Sequence, residues 1–350
     1  MPEYTKSEAK DWAREKFRGI ENVLIPSLKP TEMGEGKMLL MDEAGIRYDV
    51  NMVARHGFFM TTVACEGIHF MLQEMILRPY YEWVVDENKG RVILDAYICN
   101  NTIEEQINNV KIAEETGIDC VMVAFPPSFY PKSEDDIYEY FKTICDSTNL
   151  AVVAYPSHKY NFERFHPSGF NPRTIERIAH IENVVAMKLG VVDMAHTMEC
   201  VRRFGDVVML NQPMISWWPV CVMELGLKWA GSAPYEYLQT PENPRLVEHF
   251  NLLLDGKMDE AMEIFWELKP ARDVWEEFQM PQVAEGSYNF MHWKYVGWLT
   301  GMNGGPMYLS TPRIYEHEKE RYKEGLRKIG ITPREPDEEF YVGRVNYSGK

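Results

Sequence analysis

The stretch Glu182–Asp193, ENVVAMKLGVVD, places a lysine, Lys188, at the end of an apolar run. Val184 to Met187 has the continuous hydrophobicity of a strand covered on both faces, and such a strand has no use for an unpaired charge. An ammonium carried into an apolar interior either escapes to solvent or has its pKa lowered. Thirty-three residues earlier a second run, LAVVAYP (Leu150–Pro156), closes on Tyr155. One strand–helix–strand step takes about 30 residues or more. The spacing therefore sets Tyr155 and Lys188 side by side at the same ends of neighbouring parallel strands.

Working outward, six more short apolar runs complete a set of eight: Asn22–Leu28, Phe58–Val63, Arg91–Tyr97, Cys120–Phe125, Asp206–Asn211 and Lys228–Ala233. Amphipathic stretches separate them. In NTIEEQINNVKIAEETG, Thr102 is placed to cap a helix, Glu105 stands three residues on, and Gly117 ends it. Eight strand–helix units predict an α/β fold, a (β/α)8 TIM barrel with a C-terminal helical extension. A doubly wound open sheet is the runner-up, but it would show a glycine-rich phosphate turn after its first strand, and PSLKPTEMGEGK is not one. The expected divisions are a helical segment over 1–20, the barrel over 21–240, helices over 241–332, and a polar, loose tail over 333–350.

The totals exclude several function classes. With 37 Lys+Arg against 53 Asp+Glu the net charge is −16, which repels a phosphate backbone, so no nucleic-acid partner is expected. No apolar run reaches the roughly 20 residues of a membrane helix, and the polar start lacks the centre of a signal peptide. The expected location is cytoplasmic, with no membrane contact. Six scattered cysteines without a C-x-x-C pair read as reduced core thiols, and the nine histidines show no ligand spacing, so neither a metal nor a cofactor is expected.

In a barrel of this kind the C-terminal ends of the strands form the active-site mouth. A lysine there with a lowered pKa is a nucleophile that forms a Schiff base with a ketone, and a neighbouring tyrosine can carry the protons. The bland alternative is that Lys188 snorkels out of the mouth and pairs with a carboxylate. Position and spacing leave both open.

The order of motifs resembles the dihydrodipicolinate synthase/N-acetylneuraminate lyase family of Schiff-base class I aldolases, followed from about Asn22 to Ile331. AVVAYP carries the family tyrosine, VVAMKLG the imine lysine, and HGFFMTTVACEG stands where the family has its G-T-T-G-E turn. The resemblance implies catalytic roles for Lys188 and Tyr155 and a 2-oxo acid substrate. In the carboxylate-binding turn, TVACE puts Val63 and Ala64 where the family has a hydroxyl pair, leaving Thr61 or Thr62 to substitute; Glu66 is the turn's glutamate. The loop FPPSFYPKS has Ser128 and Phe129 in place of paired tyrosines, which argues against dihydrodipicolinate synthesis. The run YPSHKYNFERFHPSGF resembles the hydratase-aldolases that split benzylidenepyruvates. That branch implies substrate contacts from Ser157 (where it has Asn), from Trp229 through an apolar face, and from Asn289 through its amide; the alternatives are a core residue for Trp229 and a helix N-terminal residue that satisfies backbone amides for Asn289. His158 and Lys159 are expected in a solvated loop, with reach to a substrate anion as the alternative. The family also implies a homo-oligomer, a dimer or tetramer. The leading expectation is an aldol lyase that releases or uses pyruvate. Its alternatives are dehydration or decarboxylation of a sugar-derived 2-oxo acid through the same imine, and a non-catalytic descendant that binds a small molecule.

Overall fold

The computed structural model describes residues 2–30, 41–64, 74–99, 102–126, 129–157, 160, 162–307 and 313–348. Eight strands form one sheet: β1 (Gly19–Leu24), β2 (Met60–Val63), β3 (Ile93–Ile98), β4 (Cys120–Val123), β5 (Ala151–Ala154), β6 (Val184–Lys188), β7 (Met209–Asn211) and β8 (Trp229–Ala233). Their order, β7-β6-β5-β4-β3-β2-β1-β8, follows the chain from strand to strand and is that of a (β/α)8 barrel. Eight helices alternate with the strands: α1 (Ala9–Lys16), α2 (Glu43–Arg55), α3 (Glu74–Asn88), α4 (Ile103–Thr116), α5 (Glu134–Asp146), α6 (Pro172–Ala179), α7 (Met194–Phe204) and α8 (Trp218–Met223). Six more follow: α9 (Arg245–Leu254), α10 (Met258–Glu267), α11 (Lys269–Glu285), α12 (Phe290–Thr300), α13 (Glu316–Lys328) and α14 (Asp337–Val342). The expected fold class is the one observed.

The strand ends follow local chemistry. β1 begins three residues earlier than expected and stops before Pro26, which has no amide hydrogen for the ladder. β5 stops at Ala154, one residue before Tyr155 and Pro156. Around α4 the capping box forms as read: Thr102 Oγ1 accepts from the Glu105 amide at 3.1 Å, Glu105 Oε2 accepts from the Thr102 amide at 3.2 Å, and Gly117 closes the helix at φ +91°.

The chain divides into two compact units, Met1–Glu21 with Ile93–Gly231, and Asn22–Val92 with Ser232–Lys350. In the first, β3 to β7 pair in parallel, and α1 reaches β5 and β6. Cations near α1 recur every four residues, on one helical face, and each reaches a carbonyl at or just past the end of a barrel helix. Lys6 Nζ donates to Cys145 O at 2.6 Å (end of α5), Lys10 Nζ to Ala179 O at 2.8 Å (end of α6), and Arg14 Nη2 to Val207 O at 3.1 Å (just after α7). This is where a helix dipole favours positive charge. Tyr4 OH donates to Asp119 O and accepts from the Ala151 amide.

In the second unit α11 packs on α13 and α9 on α10. The expected loose tail is instead folded. Phe340 of α14 is fully buried, and Glu339 takes both Arg334 (2.6 Å) and Arg344 (3.0 Å) as ion pairs. Burial alone would raise the Glu339 pKa, but the two guanidiniums hold it below the usual carboxylate range.

Candidate active site

In the parallel ladder Ala154 lies opposite Met187, so the next pair up is Tyr155 and Lys188, and Lys188 in turn lies opposite Asn211. Residues in register on neighbouring parallel strands share a sheet face. Tyr155, Lys188 and Asn211 therefore sit in one row at the C-terminal ends of β5, β6 and β7. Lys188 Nζ lies 4.6 Å from the centroid of the Tyr155 ring, and the Tyr97 ring meets Tyr155 edge-on at 6.4 Å. Lys188 is only 8% exposed, so its side chain does not run out to solvent.

Beyond the strand ends the row is locked. The Tyr155 amide donates to Val123 O (3.1 Å), the Gly190 amide donates to Pro156 O (3.0 Å), and Ser157 and Gly190 form a parallel bridge. Gly190 has no room for a side chain: a Cβ there would fall 2.6 Å from Tyr155 Cε2 and 3.3 Å from Pro156 O. The ring of Tyr155 thus rests against bare backbone, facing Lys188. Ser157, expected at the site, is fully buried within this lock.

Deeper in the same unit lie two carboxyls that the sequence reading did not single out. Asp95 on β3 is opposite Cys120 on β4, whose thiol approaches Asp95 Oδ1 at 3.7 Å. Burial pushes the Asp95 carboxyl well above its ordinary pKa, Glu21 beside it adds to this, and the Lys188 charge opposes it. Glu21 fits because position 231 is glycine; a Cβ there would fall 2.2 Å from Glu21 Oε2. The signal was available in RVILDAY and GIENVL, which carry a charge inside an apolar run as VVAMKL does.

The structure corrects the expectation for Trp229. It opens β8, so it lies at the N-terminal end of its strand, the end opposite that of Lys188 and Tyr155 in theirs. It is 1% exposed, with its ring edge-on to Phe17 at 5.3 Å, and the Gly19 amide donates to Lys228 O beside it. It is a floor residue of the core.

Two further expectations fall in the second unit. Thr61 and Thr62 are buried on β2. Being adjacent in a strand they face opposite sides of the sheet, so one of them at most faces any given ligand. Asn289 caps α12: its Oδ1 accepts from the Met291 amide at 3.1 Å, its own amide donates to Gln282 Oε1 at 2.6 Å, and Nδ2 donates to Arg313 O at 3.4 Å. That is a structural job, with its hydrogen-bonding groups engaged. Glu66, Ser128, His158 and Lys159 lie outside the described residues. Phe129 stacks on Phe125 at 5.0 Å, within a cluster of rings that includes Tyr140 and Phe162.

The profile of the Dihydrodipicolinate synthetase family matches residues 45–264. The chain is similar to the 4-hydroxy-tetrahydrodipicolinate synthase of Bacillus velezensis, at 36% identity over 109 residues, 31% of this chain and 35% of that one. Its similarity to the synthase of Methanocaldococcus jannaschii is 22% identity over 317 residues, 90% of this chain and 99% of that one. The chain spans 35% and 41% of the length of the curated relatives from Bacillus velezensis and Desulforudis audaxviator. Among solved structures, the dihydrodipicolinate synthase from Aquifex aeolicus aligns with a TM-score of 0.73 at 21% identity, covering 91% of this chain and 100% of that one. At that identity the likeness speaks for the fold alone.

Proposed function

The chain belongs to the dihydrodipicolinate synthetase family, and on that premise we propose that it is a Schiff-base lyase of 2-oxo acids. The observation that carries this is the Lys188 amine held 4.6 Å from the Tyr155 ring, at the C-terminal ends of adjacent barrel strands. The Lys188 amine adds to the substrate ketone, and loss of water from the carbinolamine leaves a protonated imine. In the aldol direction of cleavage, the bond between C3 and C4 breaks and its electron pair passes into the imine to give an enamine. The C4 hydroxyl gives up its proton and becomes an aldehyde. The enamine is then protonated at C3, and water releases pyruvate and the free lysine. In this scheme the Tyr155 hydroxyl relays these protons. The scheme needs no metal and no organic cofactor.

Ser157 and one of Thr61 and Thr62 are carried as substrate-binding residues. An extended, unsaturated substrate that is first hydrated fits the same imine, as does dehydration or decarboxylation of a sugar-derived acid. Val63 and Ala64, in place of the carboxylate-binding hydroxyls, favour keeping that second reading. A homo-oligomer is part of the proposal; light scattering on the purified chain reads its mass directly.

The test is incubation with pyruvate and borohydride, which reduces an imine to a stable amine, followed by intact mass and peptide mapping. A pyruvyl adduct on the peptide that contains Lys188 is the expected result. Absence of an adduct across a panel of 2-oxo acids would falsify the proposal and leave the non-catalytic reading. Product analysis then separates the reactions, since pyruvate plus an aldehyde means aldol cleavage, whereas a product of unchanged chain length means dehydration.

A further inference from the structure

Asn211 ends β7 directly beside Lys188 and plays no part in the chemistry above. Its side chain is fully buried, yet neither Nδ2 nor Oδ1 has a hydrogen-bond partner among the described residues. The neighbouring Gln212, by contrast, is engaged at both ends: its Nε2 donates to Thr197 Oγ1 (3.1 Å) and its Oε1 accepts from the Met214 amide (3.2 Å). A buried carboxamide with an idle donor and an idle acceptor is costly. Buried polar groups are satisfied in the great majority of proteins, and the exceptions call for a reason. Here the backbone gives one. The Asn211 carbonyl accepts from the Leu189 amide at 3.3 Å, so the main chain is tied to β6 while the amide side chain shares the face of Lys188.

We propose that the Asn211 carboxamide is a specificity-determining group that binds a hydroxyl on the tail of the 2-oxo acid attached to Lys188. The inference rests on the imine reading. Tyr155 and Asn211 flank Lys188 from opposite neighbouring strands, so a substrate bonded to Nζ lies between them. A hydroxyl suits the second flank because it both donates and accepts, as the amide does; an apolar tail would leave both amide groups unpaired in the complex. A carboxylate alone satisfies only Nδ2, since Oδ1 has no proton to offer it.

The experiment measures the concentration of 2-oxo acid that half-saturates reductive trapping on the Lys188 peptide, with 2-oxobutanoate and with 4-hydroxy-2-oxobutanoate. Adducts of the second acid are counted whether intact or cleaved to the pyruvyl form. The wild type is expected to prefer the hydroxylated acid about 10- to 100-fold, and Asn211→Leu to bring that ratio close to one. The same variant, relieved of an unsatisfied amide, is expected to melt about 2 °C higher without ligand. Asn211→Ala supplies the ratio if the leucine is not tolerated. A wild type that does not discriminate, a ratio that survives both substitutions, or a variant that melts lower while keeping the ratio overturns the proposal and leaves Asn211 structural. If neither acid traps on the wild type, the imine reading itself fails and the inference falls with it; trapping of both acids without discrimination leaves the imine standing and removes only the role of Asn211.

Discussion

Each unit of the chain buries a lysine in its own way. Lys188 in the first and Lys294 in the second are 8% and 5% exposed, yet their surroundings differ in kind. Lys294, on α12, donates to Pro26 O at 2.9 Å and is drawn by the carboxyls of Asp49 and Asp42. Burial brings its pKa down to about 8, and burial lifts that of Asp49 to about 7, although the Asn303 amide donates to the Asp49 carboxylate. Charge is balanced by charge there, and the amine is committed to holding Pro26 and α12. Lys319 and Lys323 of α13 follow the same pattern, with Asp337 serving both. Lys188 also acts on a carboxyl, that of Asp95, but its amine is aimed at the face of a ring, and a ring attracts a cation without taking its proton. Burial of a lysine is thus no mark of chemistry; what it faces is.

Substitution of the two lysines gives the sharpest contrast. Lys188→Ala is expected to abolish turnover and the borohydride adduct while leaving the melting temperature unchanged or raised. Lys294→Met strands Asp49 without its cation and should cost about 3–5 kcal/mol in denaturant unfolding. Normal turnover in the first variant, or an unshifted midpoint in the second, breaks the comparison. Next in size is Gly190→Ala, whose methyl group would push the Tyr155 ring off the backbone it rests on. A displacement of about 1 Å at the chemistry costs on the order of 10²-fold in kcat. Unchanged kcat there would show that the ring tolerates movement.

The last effect is a pH dependence in the second unit. Glu236, in the 3-10 turn Tyr235–Leu238, is fully buried by its surroundings, and burial lifts its pKa to about 8. Below the ordinary carboxylate value both folded and unfolded chains hold the proton. From there to about pH 8 only the unfolded chain ionises, so stability falls by up to ~1.4 kcal/mol per pH unit, and above pH 8 the loss is complete. The difference between wild type and Glu236→Gln, measured by unfolding across that window, should carry this slope; a flat difference means that Glu236 is ionised in the folded chain.

Much of this was legible in the sequence, for reasons that also explain the misses. Covered parallel strands read as unbroken apolar runs, so their number and order were plain, and Tyr155 and Lys188 stood out at the ends of two of them. The same reasoning, a polar group closing or interrupting such a run, applies to Asn211 in DVVMLN and to Glu21 and Asp95. These were passed over because an amide or a single carboxyl in a strand looks ordinary until its partners are seen to be missing or to be another acid. Trp229 was misplaced because its role was carried over from the resemblance, although the run Lys228–Ala233 already set it at the start of its strand. Asn289 carried a cap signal that hydropathy cannot tell from a ligand contact. The tail looked loose because it is held by one buried phenylalanine and by polar contacts, Asp337 with Lys319 and Lys323 and Arg344 with the Gly301 and Trp298 carbonyls, and no apolar period records those.

The cations spaced along the first helix bear on when the fold can close. Lys6, Lys10 and Arg14 meet carbonyls 139, 169 and 193 residues further along the chain. During synthesis these residues emerge long before their acceptors and are therefore among the last to find their places, since Arg14 does not meet its carbonyl acceptors until Asp206 and Val207 have been made. Contacts of such long range come late and slowly in folding. The segment works as a clasp across three consecutive helix ends, and a chain lacking it would reach the same strand order with those ends untied.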